Sequence, residues 1–324
     1  MTNIKYTNNN NTPLALAVWL CNDTYDHDDD PMQISATSLI KSIRQIILTS
    51  RVESKIIDVS ALVNSAMGTA IHDSCENAWR NPEAVKKGMA IAGYPQKIID
   101  KVRINPVDSS DDIIPVYLEQ RVEKVINGYR VSGKFDIVMD GELQDYKSTS
   151  TFTYMDQSNA EKYVLQGSIY RYLNPDIITA PTLQINYIFT DWSFAQARQN
   201  KSYPQSRVLS QTFQLMSKAE TESYIKNKLQ QIDLYRAANL HDIPLCSKED
   251  LWMGDPVFKY YKNPANRARS TKNFTNMTDA YAFKAKNGNV GEIVEVPSKA
   301  KACNYCAARD ICNQAADLQA ANLL

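Results

Sequence analysis

Asp145 and Lys147 stand two residues apart in "GELQDYKSTST", residues 141–151. The stretch reads as a β-strand, and strand alternation puts residues two apart on one face. An acid and an amine then point the same way. A second carboxylate, Asp136, precedes the dipeptide Asp140-Gly141, which suits the positive φ angles of a tight hairpin turn. Counted from that turn, 136 and 145 are near neighbours. Two like charges that close are costly. A divalent cation removes the cost and makes both groups oxygen ligands. Two carboxylates holding Mg²⁺ or Mn²⁺, with an amine beside them, suit metal-assisted hydrolysis of a phosphodiester. Lys147 is then placed to orient or deprotonate the attacking water, with burial or a nearby cation drawing its pKa down. As a bare spacing, D-x-K is more often a surface ion pair.

Three antiparallel strands, near 116–126, 129–138 and 143–148, must position these groups, with turns at Asn127-Gly128 and Asp140-Gly141. Upstream, 34–51 and 58–82 carry helical apolar spacing, and Pro82 marks an end. Downstream, "SNAEKYVLQGSIYRYL" (158–173) is a strong helix with Gln166 and Tyr170 one turn apart. Residues 182–193 read as a further strand. Residues 217–239 read as a long amphipathic helix opened by a Ser or Thr cap, which closes the element order as a helical tail. The expected class is α+β, a mixed central sheet flanked by helices.

Four motifs in order resemble the PD-(D/E)XK nuclease superfamily, above all its RecB-type branch of RecB and AddB nuclease domains and phage exonucleases. "GTAIHDSCE" resembles the helix motif whose His binds metal, which implies that role for His72. "GKFD" resembles the second motif, implying a metal carboxylate at Asp136; Phe135 replaces the family's usual proline. "DYK" resembles the third, implying a second metal carboxylate at Asp145 and a catalytic lysine at Lys147. "QGSIY" resembles the Q-x-x-x-Y motif and implicates Gln166 and Tyr170 in catalysis. Glu76, at i+4 from His72, can share its helix face. The resemblance implies a restriction-endonuclease-like α/β/α core and Mg²⁺- or Mn²⁺-dependent hydrolysis of DNA. Exonuclease action is favoured over a structure-specific or nicking endonuclease, or a DNA-binding scaffold without catalysis.

Of six cysteines, Cys303, Cys306 and Cys312 crowd into "ACNYCAARDICNQ". Two Cys with two residues between them can chelate one metal or cluster edge. A fourth ligand must come from elsewhere. The triplet resembles the iron–sulfur staple of AddB-type and CRISPR-associated RecB-like nucleases, which implies a structural [4Fe–4S] cluster, with Zn²⁺ as the alternative. Cys246, in "HDIPLCSKEDLW", is the expected fourth ligand because phage-type members carry a similar P-x-C-x-x-E-x-x-W element; Cys21 and Cys75 are the alternatives.

The expected organisation is an N-terminal extension over 1–33, a nuclease core over 34–240 and a cysteine-stapled C-terminal extension over 241–324. The 324 residues are 44% apolar and 22% charged, with net charge zero, as in ordinary globular proteins. No apolar run is long enough to span a bilayer, and no signal-peptide pattern opens the chain, so a cytoplasmic location without membrane association is expected. The run Asp26 to Asp30 reads as a solvated acidic loop. Residues 257–301 hold nine Lys or Arg against three acids, interleaved with Tyr260, Tyr261, Phe274 and Tyr281. That stretch reads either as a surface for single-stranded DNA or as a β-rich subdomain with core aromatics. No G-x-x-x-x-G-K-[ST] motif occurs, so any unwinding needs a separate helicase or recombination partner.

Overall fold

The computed structural model describes residues 3–22, 30–107 and 112–324. Two compact units divide the chain, one formed by 1–40 and 54–230, the other by 41–53 and 231–324. Residues 41–53, which the sequence assigns to the nuclease core, thus belong with the cysteine-rich unit. Asp26 to Asp29 of the acidic run lie outside the described residues. Asp30 accepts from the Met32 N–H at 2.8 Å and pairs with Arg130 at 3.0 Å.

The first unit is α+β, built on a mixed six-stranded sheet. Its strands are β1 (Val102–Ile104), β2 (Ile114–Leu118), β3 (Ile137–Met139), β4 (Glu142–Thr149), β5 (Thr182–Phe189) and β6 (Val208–Gln214), in spatial order β6-β5-β4-β3-β2-β1. β3 and β4 form an antiparallel hairpin; β4 and β5 run parallel. Parallel neighbours need a long crossover. It contains helix α2 (Ala160–Leu173), which follows helix α1 (Val63–Arg80) in the chain. A smaller sheet pairs Gln33–Ser35 with Tyr129–Lys134, and the latter with Arg121–Ile126. Strand β5 alternates intermediate and buried along its length, with Leu183, Ile185, Tyr187 and Phe189 turned inward. Fully burying such a side chain contributes about 1.5–3 kcal/mol.

Both expected turns form with φ positive at each central residue: 49° and 83° at Asn127-Gly128, 50° and 81° at Asp140-Gly141. At Gly141 an added Cβ would collide with Thr179 Oγ1. Gly141→Ala combines that collision with left-handed backbone. We expect it to destabilise the protein by roughly 2–4 kcal/mol in urea unfolding, because the carboxylate hairpin must shift its turn.

Several expected elements are interrupted. The helical spacing over 34–51 is a strand and two short helices. Ser35 Oγ accepts from Ser38 N–H, and Ser42 Oγ from Gln45 N–H, so each serine starts its own helix, the second being Ile43–Ser50. α1 ends at Arg80. Asn81 caps the next helix, and Pro82 is its first residue, where a missing N–H costs nothing. The expected strand 116–126 breaks at Glu119, whose φ is 40°, and 129–138 breaks at Phe135-Asp136. The long helix is Lys218–Tyr235, here α3. Ser217 and Glu220 form a reciprocal capping box, with Ser217 N–H donating to Glu220 and Glu220 N–H to Ser217 Oγ.

The second unit holds a three-stranded antiparallel sheet, Lys272–Phe274, Val257–Tyr261 and Glu292–Val296, in line with the β-rich reading of 257–301. Tyr260 and Tyr261 are buried, and Phe274 packs on Phe283. Three of the four aromatics proposed to stack bases therefore serve packing; Tyr281 alone of the four is exposed. Among the described residues no helix is long and apolar enough to cross a membrane.

Candidate functional site

The β3–β4 hairpin sets the centre of the site. Ile137 opposes Gln144, so the register carried one step further sets Asp136 against Asp145. Asp136 sits where the strand has broken. Tyr146 N–H donates to Asp136 Oδ2 at 3.0 Å and fixes it. From α1, His72 brings Nδ1 to 3.2 Å of the same oxygen. The His72 and Tyr146 rings meet edge to face at 6.1 Å. On β4, the Lys147 ammonium is in ion-pair contact with Asp145 Oδ2, as same-face alternation requires. That buried oxygen nevertheless accepts no well-directed hydrogen bond. Lys147 Nζ also lies 5.6 Å from the centre of the Tyr163 ring.

Helix α2 closes the other side. Gln166 Nε2 donates to Tyr170 Oη at 2.8 Å. Both line a small cavity with Asp145 and Tyr163. Gly133 permits this approach: a Cβ there would come within 2.9 Å of the Tyr170 ring and of Leu173. His72, Asp136 and Tyr170 also line an open groove of about 860 Å³, where Arg121 and Lys134 add positive charge. All six expected residues of the nuclease motifs thus gather around β4.

Glu76 lines a further small cavity with His72 and Asp136, but its carboxylate is occupied by Arg80. Glu119 lies in that cavity too and was missed in the sequence. Its N–H donates to the Asp136 carbonyl at 3.0 Å, and its carboxylate pairs with Lys134. Read as mid-strand, Glu119 carried no signal; its left-handed backbone is what turns it toward the site.

Charge is balanced pairwise. Burial pushes the Asp145 carboxyl above the usual range, and the Asp136 charge adds to this, against the pull of Lys147. Burial disfavours the Lys147 ammonium, but contact with Asp145 outweighs it and holds the pKa above 10.5. The sequence expectation of a lowered lysine pKa is therefore reversed while Asp145 faces it. The Asp136 hydrogen bond raises His72 above 6.5 despite burial. Burial would raise Asp136, but His72, Lys147 and the Tyr146 N–H outweigh it and hold it below 3.8.

These shifts fix a pH window. The raised His72 pKa gives stability complete below 6.5 and lost as pH rises through the folded value. The depressed Asp136 pKa gives stability present above 3.8 and lost as pH falls through its folded value. In chelator-treated protein, NMR should find His72 losing its proton above 6.5. Asp136→Asn should bring that midpoint down.

In the second unit, Cys246, Cys303, Cys306 and Cys312 line one cavity of about 50 Å³. Cys21 and Cys75 belong to the first unit. Among the described residues no three His, Cys, Asp or Glu are grouped to hold a metal ion. The residue types at both places are ones that ligate metals, carboxylates and imidazole in the first unit and thiols in the second, though they are not drawn together as a ligand set. In the first unit Asp145, ion-paired with Lys147 through an oxygen that accepts no well-directed hydrogen bond, lies across the hairpin from Asp136, which His72 contacts. In the second, four cysteines are among the residues lining one cavity.

No family model matches the chain, and no curated protein matches it. The fold is similar to the crystal structure of SSO0001, with TM-score 0.40 and 15% identity over 67% of this chain and 84% of that one. It is also similar to the crystal structure of a phage-related exonuclease from Haemophilus somnus 129PT, with TM-score 0.27 and 16% identity over 48% of this chain and 66% of that one. Likeness at this level assigns neither residues nor an activity.

Proposed function

We propose that the first unit is a divalent-cation-dependent deoxyribonuclease, of RecB-like type, that hydrolyses phosphodiester bonds at DNA ends. The observation that carries this reading is the convergence of Asp136, Asp145 and Lys147 on one hairpin, with His72 against Asp136 from α1. His72, Asp136 and Asp145 would hold Mg²⁺ or Mn²⁺. Such an ion supplies Lewis-acid charge to the phosphate.

The chain's own groups then divide the work. Lys147 is held protonated by Asp145. Once that carboxylate is engaged elsewhere, burial acts on Lys147 against a weaker opposition, Asp136 and Tyr163, and draws the pKa down. The amine then suits a general base that takes a proton from the attacking water, and as an ammonium it offsets charge on the phosphate. Gln166 and Tyr170, already bonded to each other, position that amine or a phosphate oxygen. Arg121 and Lys134, the latter paired with Glu119, line the groove where a DNA backbone would lie.

Cys246, Cys303, Cys306 and Cys312 are proposed to hold a structural [4Fe–4S] cluster, with Zn²⁺ as the alternative. Any duplex opening falls to a separate helicase or recombination partner, in DNA recombination, repair or phage DNA metabolism. The test is digestion of end-labelled linear DNA beside a covalently closed circle in Mg²⁺. Loss of the linear species alone supports the proposal. Cutting of the circle makes the enzyme an endonuclease, and inactivity on both, with binding retained, makes it a scaffold.

A further inference from the structure

Arg44 is the largest fully buried side chain, 1% exposed, and it belongs to the cysteine-rich unit. A buried guanidinium normally sits beside a carboxylate. Arg44 forms no ion pair with one among the described residues. Nη1 donates to the Ile243 carbonyl at 2.8 Å, and both terminal nitrogens reach the Leu240 carbonyl at 3.3–3.4 Å. Nη2 also contacts Asn313 Oδ1. All these acceptors are neutral. The remaining donor, Nε, points at Cys312 Sγ at 3.3 Å. Among the described residues, that sulfur is the only atom hydrogen-bonded to Arg44 that can carry a negative charge.

A second donor has the same aim. Ser42 Oγ accepts from Gln45 N–H at 3.1 Å and lies 3.2 Å from Cys246 Sγ, where its O–H is free to donate if that sulfur is a thiolate. Cys246 is pinned by Gln314, which accepts from its N–H at 2.9 Å and donates to its carbonyl at 3.0 Å. Donors from one short segment, 42–44, therefore meet two cysteines far away in the chain.

We infer that Arg44 is the built-in counter-ion of the four-cysteine group, with Ser42 as a second hydrogen-bond donor to it. This rests on the proposed metal–thiolate reading. Four thiolates around Zn²⁺ or around a [4Fe–4S]²⁺ core leave the same net charge of about −2 by formal count. A buried guanidinium offsets part of it. Arg44 is thus a positioning residue: it acts on the centre through Cys312 and through the 240–243 carbonyls that lead to Cys246. Reducing a cluster adds a further negative charge, which Arg44 stabilises, so the residue raises the reduction potential.

The test compares full-length wild type, Arg44→Gln, Arg44→Lys and Ser42→Ala, purified without oxygen. Metal and acid-labile sulfide are counted per chain, release to a chelator is timed, and any cluster is titrated electrochemically. Arg44→Gln should release metal at least about tenfold faster, since loss of a charge-assisted hydrogen bond near 1.4 kcal/mol is tenfold, and a cluster should become harder to reduce. Arg44→Lys, which keeps the charge without the fork, should stay close to wild type in potential but release metal faster. Ser42→Ala should move both readouts the same way by less, and it keeps the test open if Arg44→Gln does not fold. Metal-loaded wild type with all variants indifferent in release and potential would overturn the inference alone. Wild type that binds neither iron nor zinc after anaerobic reconstitution would overturn the metal–thiolate reading itself.

Discussion

Lys147→Met is expected to lower cation-dependent DNA cleavage by about 10²–10⁴-fold, the range a positioned proton-transfer group contributes. DNA binding should persist, because the groove cations Arg121 and Lys134 are untouched. Methionine keeps most of the apolar stem and removes only the charge. That charge is the partner of a buried carboxylate, Asp145, which is 6% exposed. Breaking a buried pair from one side costs about 3–5 kcal/mol. Lys147 is a quarter exposed on its side chain, and Asp145 can take up a proton, so the lower part of that range applies. Urea unfolding near neutral pH should show a loss of roughly 2–3 kcal/mol. Adding Asp145→Asn removes the stranded charge and should return much of the stability while leaving cleavage lost. A catalytic role alone would leave stability unmoved; a surface ion pair would leave both unmoved.

Cys303→Ser should lower the melting temperature by roughly 10 °C and release bound metal. Losing a few kcal/mol shifts Tm by about 2–4 °C per kcal/mol in domains of this size, and structural metal sites contribute at least that much to folding. Cys303 is buried against Leu251, Ala300 and Ala315, with Cys246 and Cys312 beside them. The same residues that line the cavity thus form the local core. Cys21→Ser is the control, since it is exposed and in the other unit. Differential scanning calorimetry with atomic absorption on the same samples checks both. Equal melting curves for Cys303→Ser and wild type, with equal metal content, would refute the role.

The carboxylate hairpin was legible because its signals are local. Asp140-Gly141 needs left-handed backbone, and two-residue turns fix register, so Asp136 opposite Asp145 follows by counting. Gln166 and Tyr170 at one-turn spacing on a strong helix were legible for the same reason. What failed was either masked by a competing local pattern or set by partners distant in sequence. The helix expected over 34–51 splits because Ser35 and Ser42 both cap, although apolar spacing runs across them. Strand β6, "VLSQTFQ", is exposed at every other position on the sheet's edge, and its polar composition masked it. Glu119 turns toward the site only through a break that no pattern marked. Arg44 carried no signal in the sequence. Its burial follows from carbonyls and a sulfur some two hundred residues away or more.

The central claim is that His72, Asp136, Asp145 and Lys147 form one hydrolytic centre. The most direct measurement is nucleotide release from linear DNA by wild type and Asp136→Asn, each with Mg²⁺, Mn²⁺ or EDTA. The expected result is release by wild type only, only with a divalent cation. Release that persists in EDTA, or that Asp136→Asn retains at the wild-type rate, would contradict it.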